Sequence, residues 1–404
     1  MTANDTFTSV AYFFKTVFDT GLADESMRLH PTLDMIPKVA DFNGDSFIYS
    51  VKYGNAQNIA STATGSSGIA AAQAVGSSSK GVKFTMYRVR KTGTLSFDIE
   101  AIKAAKARND GSFENLLVED VDGFVNEFSD RLGFDLFRDG YGARGQRSSI
   151  NSNTIALTVP DDARNWKVGM LMGASPNADG SAPLVGSTAV THVDHDAGTV
   201  TVASAAAIGS FANNDYLFAA PEIGNNLEGF EACTPLTTPS ATTFRGVNRS
   251  VMPSLLAGSR VADTATMIEE NAGRVAVKIR QNGGTADTLA LNPQRYWEMC
   301  RRIGAKIMYE GGGGEAAYGF EGVRITSPAG VLKVISDPDC PVSRGRVFNN
   351  ASHKIKTLGE FVHIGNEDGN YELRIYNEDS LESRVRSLAN YYQSKPRDFG
   401  VFSI

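Results

Sequence analysis

Five consecutive residues, His192-Val193-Asp194-His195-Asp196, bring together side chains of the kind that hold divalent metals. On a strand, His192 and Asp194 share one face, while His195 and Asp196 fall in the turn that follows. A metal centre needs three or four ligands converging on one point, and this spacing suits an exposed β-turn better. His192 and His195 are the weak candidate ligands. Asp337-Pro338-Asp339 pairs two carboxylates, as general acid–base chemistry requires. Its proline and the following Cys340-Pro341 read instead as a rigid turn. The glycines at 311–314 lack the Lys-Ser/Thr of a phosphate loop and read as a flexible connection. No nucleophile elbow or zinc-protease helix motif occurs. Cys300 lies between apolar positions of a helical pattern and reads as a small buried hydrophobe. We expect no catalytic residue, no cofactor and no enzyme activity; a hydrolase is a weak alternative.

Basic residues add little. Arg245 and Arg249, in RGVNR at 245–249, and the pair Arg301-Arg302 are small cationic spots. They read as ion pairs, solvated or at an interface, rather than phosphate contacts. The net charge of −6 argues against a protein that grips nucleic acid. Enclosing nucleic acid without gripping it stays open. Cys233, Cys300 and Cys340 are odd in number and far apart, so neither a disulfide scaffold nor a zinc site is expected. The first basic residue is Lys15, which leaves no signal-peptide n-region. No apolar run reaches the roughly 18 residues that span a bilayer. The expectation is a soluble cytoplasmic chain of two or three domains.

The elements around these residues are more informative. Residues 54–79 carry no charged side chain, and strand-like segments flank them at 47–53 and 82–90. Ordering such a stretch costs on the order of 30–50 kcal/mol of backbone entropy. Its small side chains cannot recover that alone. It is either mobile or laid across a surface supplied by something else.

Before it, Phe7, Val10, Phe14, Val17 and Phe18 recur at helical spacing within an arm at 1–45. After it, Phe113, Leu117, Val121, Phe124, Phe128 and Leu132 form one stripe, stopped by Arg138-Asp139-Gly140. That helix would run about 27 residues and about 40 Å. Residues 150–222 read as all-β, with strands at 153–159, 166–171, 188–193, 199–202 and 215–218, in a small barrel or sandwich. A mixed region follows. It has a helix from near Asp263, carrying Met267, Ile268, Val275 and Ile279, and a strand at 288–291. A second helix from Pro293 carries Tyr296, Trp297, Ile303 and Ile307, and strands at 323–326 and 331–335 follow it. The tail is strand-rich at 361–364, 371–376, 383–392 and 399–404.

An arm, a long hairpin, a long helix, a mixed domain and a strand-rich tail, in that order, resemble the tailed-phage major capsid proteins with the HK97-like fold. ESRVRSLANYY at 382–392 leading to KPRDFG at 395–400 is similar to the family's peripheral strand and its proline turn. FRGVNRS at 244–250 is similar to its entry into the axial domain. The resemblance covers the chain except 150–222 and rests on element order more than on particular residues.

What it implies is an α+β chain. The arm would be 1–45, the extended E-loop 46–92, and the peripheral domain with its spine helix 93–149. An inserted β-barrel-like domain would occupy 150–222 and the axial domain 223–350. Peripheral strands would occupy 351–395, with a return to the axial domain at 396–404. The implied function is a shell subunit that assembles with itself into pentamers and hexamers of an icosahedral virion around double-stranded DNA, in the host cytoplasm and away from membranes. The E-loop begins too early to leave room for a cleaved scaffolding segment, so a separate scaffolding protein is implied, with a portal and possible decoration proteins. Candidate intersubunit residues are Phe7, Phe14, Phe18, Tyr49, Tyr53, Ile59, Ile69, Lys80, Tyr87, Arg245 and Arg249. Lys80 could also serve a family-type Lys–Asn cross-link, whose other partners cannot be placed. An encapsulin-like compartment is the alternative, and a β-rich tail or adhesin protein a weaker one.

Overall fold

A computed structural model describes residues 29–62, 68–98, 111–303, 324–327, 329–364, 373–374 and 380–404. The expected arm helix with Phe7, Phe14 and Phe18, and the glycines at 311–314, lie outside these residues. The chain divides into two units. The described parts of the first come from Gly93–Asp130 and Ile364–Val385. The second takes Leu29–Thr92, Arg131–His363 and Arg386–Ile404.

In the first unit, Leu373–Arg374 pairs antiparallel with the start of strand Ser380–Gln393, Leu373 opposite Glu382. Gly93 lies so close to the Phe124 ring that an added Cβ would sit 2.6 Å from it. The helix that carries Phe124 is Gly111–Phe137, 27 residues, with Phe128 and Leu132 buried as their spacing requires.

In the second unit, Ser46–Gly54 pairs antiparallel with Lys80–Tyr87, and Tyr49 stands opposite Phe84. Alternation turns Tyr49, Phe84 and Met86 inward onto Phe42, Val247 and Leu256. Beyond the paired strands lies a short helix, Gly68–Val75, that buries none of its residues. The sequence reading gave this stretch no element. Four alanines in its eight residues supply the helix propensity.

Six strands close a barrel in the order Tyr216–Ala219, Ala143–Asn151, Thr154–Leu157, Thr199–Val202, Thr188–Asp194 and Leu171–Ser175. It therefore begins at Ala143 rather than at 150. The strand expected at 166–171 is absent; Pro160–Asn165 forms a 3-10 turn that drops Trp166 into the barrel core. Gly169, at φ +91°, bends the chain before the next strand starts at Leu171.

A second six-stranded sheet runs Ser259–Val261, Gly400–Ser403, Arg344–Phe348, Thr288–Leu291, Gly330–Ser336 and Arg324–Ser327. The chain's last strand thus enters the middle of a sheet built mostly from 259–348. Helix Ile268–Gln281 covers it through Val275, Ala276 and Ile279. That helix starts at Ile268 rather than near Asp263, and Met267 is exposed. On helix Pro293–Ile303, Trp297 is 65% exposed, not inward as expected. The inward stripe is Tyr296, Met299 and Cys300, at i, i+3 and i+4, which leaves Trp297 beside it. A third sheet sets Lys38–Val39 parallel to His353–Thr357, itself antiparallel to the end of Ser380–Gln393.

Candidate functional site

The residues with metal-like spacing form a turn. Asp194 accepts the backbone N–H groups of Ala197 and Asp196, and the Ala197 bond leads in drawing its carboxyl below the usual range. Among the described residues no cluster of three or more His, Cys, Asp and Glu is arranged to hold a metal.

The carboxylate pair at 337–339 is an anchor. Asp337 Oδ2 accepts the Thr32 N–H at 3.0 Å, and Asp339 Oδ2 lies 2.6 Å from His30 Nδ1. Burial, then the neighbouring Asp339, pushes the Asp337 carboxyl up. Residues 30–32 are thus pinned beside the helix at Gly133. A Cβ on Gly133 would lie 2.5 Å from both Asp339 Oδ2 and His30 Nδ1.

Arg245 is the hub at the root of the hairpin. Its guanidinium donates to Glu228 Oε2 at 2.7 Å, to the Tyr49 hydroxyl at 3.2 Å and to the Tyr391 carbonyl at 2.8 Å. Its own carbonyl accepts the Thr85 N–H at 2.9 Å. Arg249 donates to the carbonyls of Ala232 and Cys233, both at 2.9 Å. One residue, through its side chain and its carbonyl, therefore joins both strands of the hairpin, the segment after the barrel and the last long strand. Burial pushes the Tyr49 hydroxyl up to about 12 despite Arg245. The phenol stays protonated.

The candidate interface residues divide by exposure. Tyr49, Arg245 and Arg249 are buried inside the fold, so their partners lie within the chain. This corrects the expectation of a surface role: the sequence signalled aromatic and charged residues, and the fold spends them on the hairpin root. Tyr53 is half-buried against the same core. Ile59, Ile69 and Tyr87 are 80%, 74% and 62% exposed, and Lys80 is exposed. Tyr87, Arg88 and Arg90 line an open groove of about 1000 Å³, together with Asp139, Tyr141 and Thr237.

A second polar centre escaped the sequence reading. Glu222, where the chain leaves the barrel, accepts from Arg131 and Arg144, both at 2.9 Å. Lys91 lies 3.6 Å from Glu222 and 2.6 Å from Asp135. Burial works against the Glu222 charge, but Lys91, Arg144 and Arg131 hold its carboxyl down to about 2. The cluster ties both legs of the barrel to the end of the long helix. Its members run from Lys91 to Glu222 along the sequence, too far apart for any local motif.

No protein-family model matches the sequence, nor does any curated protein. Among solved structures, the chain is similar to a chain of the capsid asymmetric unit of cyanophage A-1(L), at 11% identity, over 95% of both chains, with a TM-score of 0.56. It is also similar to the capsid of the native GTA particle, at 9% identity over 100% and 99% of the two chains, with a TM-score of 0.48. A third is the SrpI encapsulin complex of Synechococcus elongatus, at 6% identity over 100% and 96%, with a TM-score of 0.46. Of these three, the cyanophage capsid alone is close enough to establish a shared fold. The chain has the HK97-like fold of tailed-phage capsids, with an added β-barrel.

Proposed function

We propose that this chain is the subunit of a phage capsid. It assembles with itself into pentamers and hexamers of an icosahedral shell around double-stranded DNA. The observation that carries the reading is a fold shared over 95% of both chains with a capsid protein at only 11% identity.

The hairpin supplies the mechanism. Its root is fixed by Arg245, yet its distal helix buries no residue and Ile59 and Ile69 stand in solvent. A helix of one or two turns is marginal in water, and a neighbouring copy gives it a surface to lie on. Contacts of this kind are heterologous and close into rings. The net charge of −6 suits a wall that surrounds DNA without gripping its phosphates. A separate scaffolding protein, a portal and decoration proteins complete the expected partners, with assembly in the host cytoplasm.

Sedimentation of the chain co-expressed with its neighbouring genes tests this. Fast-sedimenting particles that protect DNA from nuclease are expected. Particles holding protein cargo and no nucleic acid would point to a compartment instead.

A further inference from the structure

The two-stranded sheet of the hairpin leaves one side of Ser46–Gly54 open. Among the described residues its one strand partner is Lys80–Tyr87, with Ile48 opposite Thr85 and Ser50 opposite Lys83. The Thr85 N–H turns away from that ladder, to the Arg245 carbonyl at 2.9 Å. Ile48 and Thr85 are therefore a non-hydrogen-bonded pair, and by alternation so are Ser50–Lys83 and Lys52–Gly81. The N–H and C=O groups of Ile48, Ser50 and Lys52 consequently point out along the free edge. Among the described residues none of them has a backbone partner there.

The two edges of this sheet differ. Exposed Lys80 and Lys83 stand on the Lys80–Tyr87 strand, and the Arg245 carbonyl caps it at Thr85. Charges and cover of that kind protect an edge from pairing with another chain. Ser46–Lys52 holds no proline, runs in regular register and carries one charge, on Lys52. Ile48 stands on it 59% exposed. An edge of this kind is a template for a further strand.

The strand is complementary to itself. It has nine residues, with Ser50 at the centre. Antiparallel pairing of two copies about Ser50 uses its whole length and sets Ser50 opposite Ser50, where the outward groups exchange both hydrogen bonds. Ile48 then faces Lys52, Tyr49 faces Val51 and Phe47 faces Tyr53. Aromatic pairs and aromatic–β-branched pairs across strands are favourable, and like charges opposite each other are not. Only a pairing centred on Lys52 would oppose two lysines. Phe47, Val51 and Tyr53, partly buried within one copy, each gain a neighbour.

We propose that two copies of this chain join edge to edge through Ser46–Gly54, making a four-stranded sheet about a two-fold axis at Ser50. The contact is isologous, unlike the docking of the hairpin tip, and it does not require that the assembled object be a shell.

Mild oxidation of the purified full chain tests this. Opposed residues of such a pair have Cα atoms about 5.5 Å apart, within the roughly 4.4–6.8 Å that a disulfide spans. Cys233, Cys300 and Cys340 are buried, so introduced thiols alone should react. On a non-reducing gel, Ser50→Cys should shift to twice the chain mass. Ile48→Cys combined with Lys52→Cys should shift likewise, whereas Ile48→Cys alone should stay at the mass of one chain. A Ser50→Cys chain that stays monomeric overturns the proposal, as does an Ile48→Cys chain that dimerises as readily. Particles that form without the Ser50→Cys cross-link sink the edge contact alone. A cross-linked dimer that never forms particles keeps the edge contact and sinks the shell reading.

Discussion

The Arg245 guanidinium donates to the Tyr49 hydroxyl at 3.2 Å across 196 residues of sequence. The same group holds Glu228 and the Tyr391 carbonyl, so the hairpin leaves the body of the chain from a fixed root. An exposed helix beyond a fixed root is what a flap that docks on a neighbour needs.

Removing that hub should unfasten the root. Arg245→Ala strands the Tyr49 hydroxyl and Glu228, and breaking a buried pair costs roughly 3–5 kcal/mol. Glu228 keeps partial contact with water, which favours the lower end of that range. Tyr49→Phe removes one hydrogen bond and should cost about 1 kcal/mol. Urea midpoints of the unassembled chain measure both, and equal losses would contradict the hub.

Two glycines of the long helix should respond in opposite directions. Gly133→Ala drives a Cβ into the His30–Asp339 pair and should destabilise by roughly 1–3 kcal/mol. Gly123→Ala meets nothing within 4 Å and should stabilise by roughly 0.5–1 kcal/mol. Thermal unfolding of the two variants checks the pair.

Acid should weaken the fold in a window set by His353. Its ring is enclosed by Phe230, Phe348, Tyr391 and Phe399, and burial lowers its pKa to about 3. Between about 6.5 and 3 the unfolded chain binds a proton there that the folded chain does not. Stability is therefore full above about pH 6.5 and falls as pH drops, at up to about 1.4 kcal/mol per pH unit. The low Glu222 carboxyl adds a further loss below its unfolded value, in the range down to about 2. His353→Gln should flatten the slope between pH 6.5 and 4.5. An unchanged slope would show that the ring is already charged in the folded state.

The hairpin tip should matter to assembly and not to folding. Ile69→Asp sits at a 74% exposed position and should change subunit stability by less than about 0.5 kcal/mol. Deleting 56–78 should likewise leave a folded subunit. Both should assemble poorly by sedimentation, and an unfolded deletion variant would place the tip in an intramolecular core.

Much of this fold could be read from periodicity. The stripe from Phe113 to Leu132 marked the helix Gly111–Phe137, and β-branched runs marked Thr199–Val202 and Thr288–Leu291. Local pattern misplaced Trp166 and Trp297, because the turn at Pro160–Asn165 and the exact helical phase decide which way an indole points. The root of the hairpin was harder. Arg245 and Arg249 look like surface charges in sequence, and only the fold supplies the carbonyls of Tyr391, Ala232 and Cys233 that permit their burial. The centre of Lys91, Asp135 and Glu222 left no trace, since its members come together only when the barrel closes onto the helix.

Electron microscopy of the purified chain, alone and with a scaffolding protein, tests the shell reading most directly. Closed particles with five-fold and six-fold clusters of subunits are the expected result. Only monomers or dimers, under every condition and with scaffold present, would contradict it.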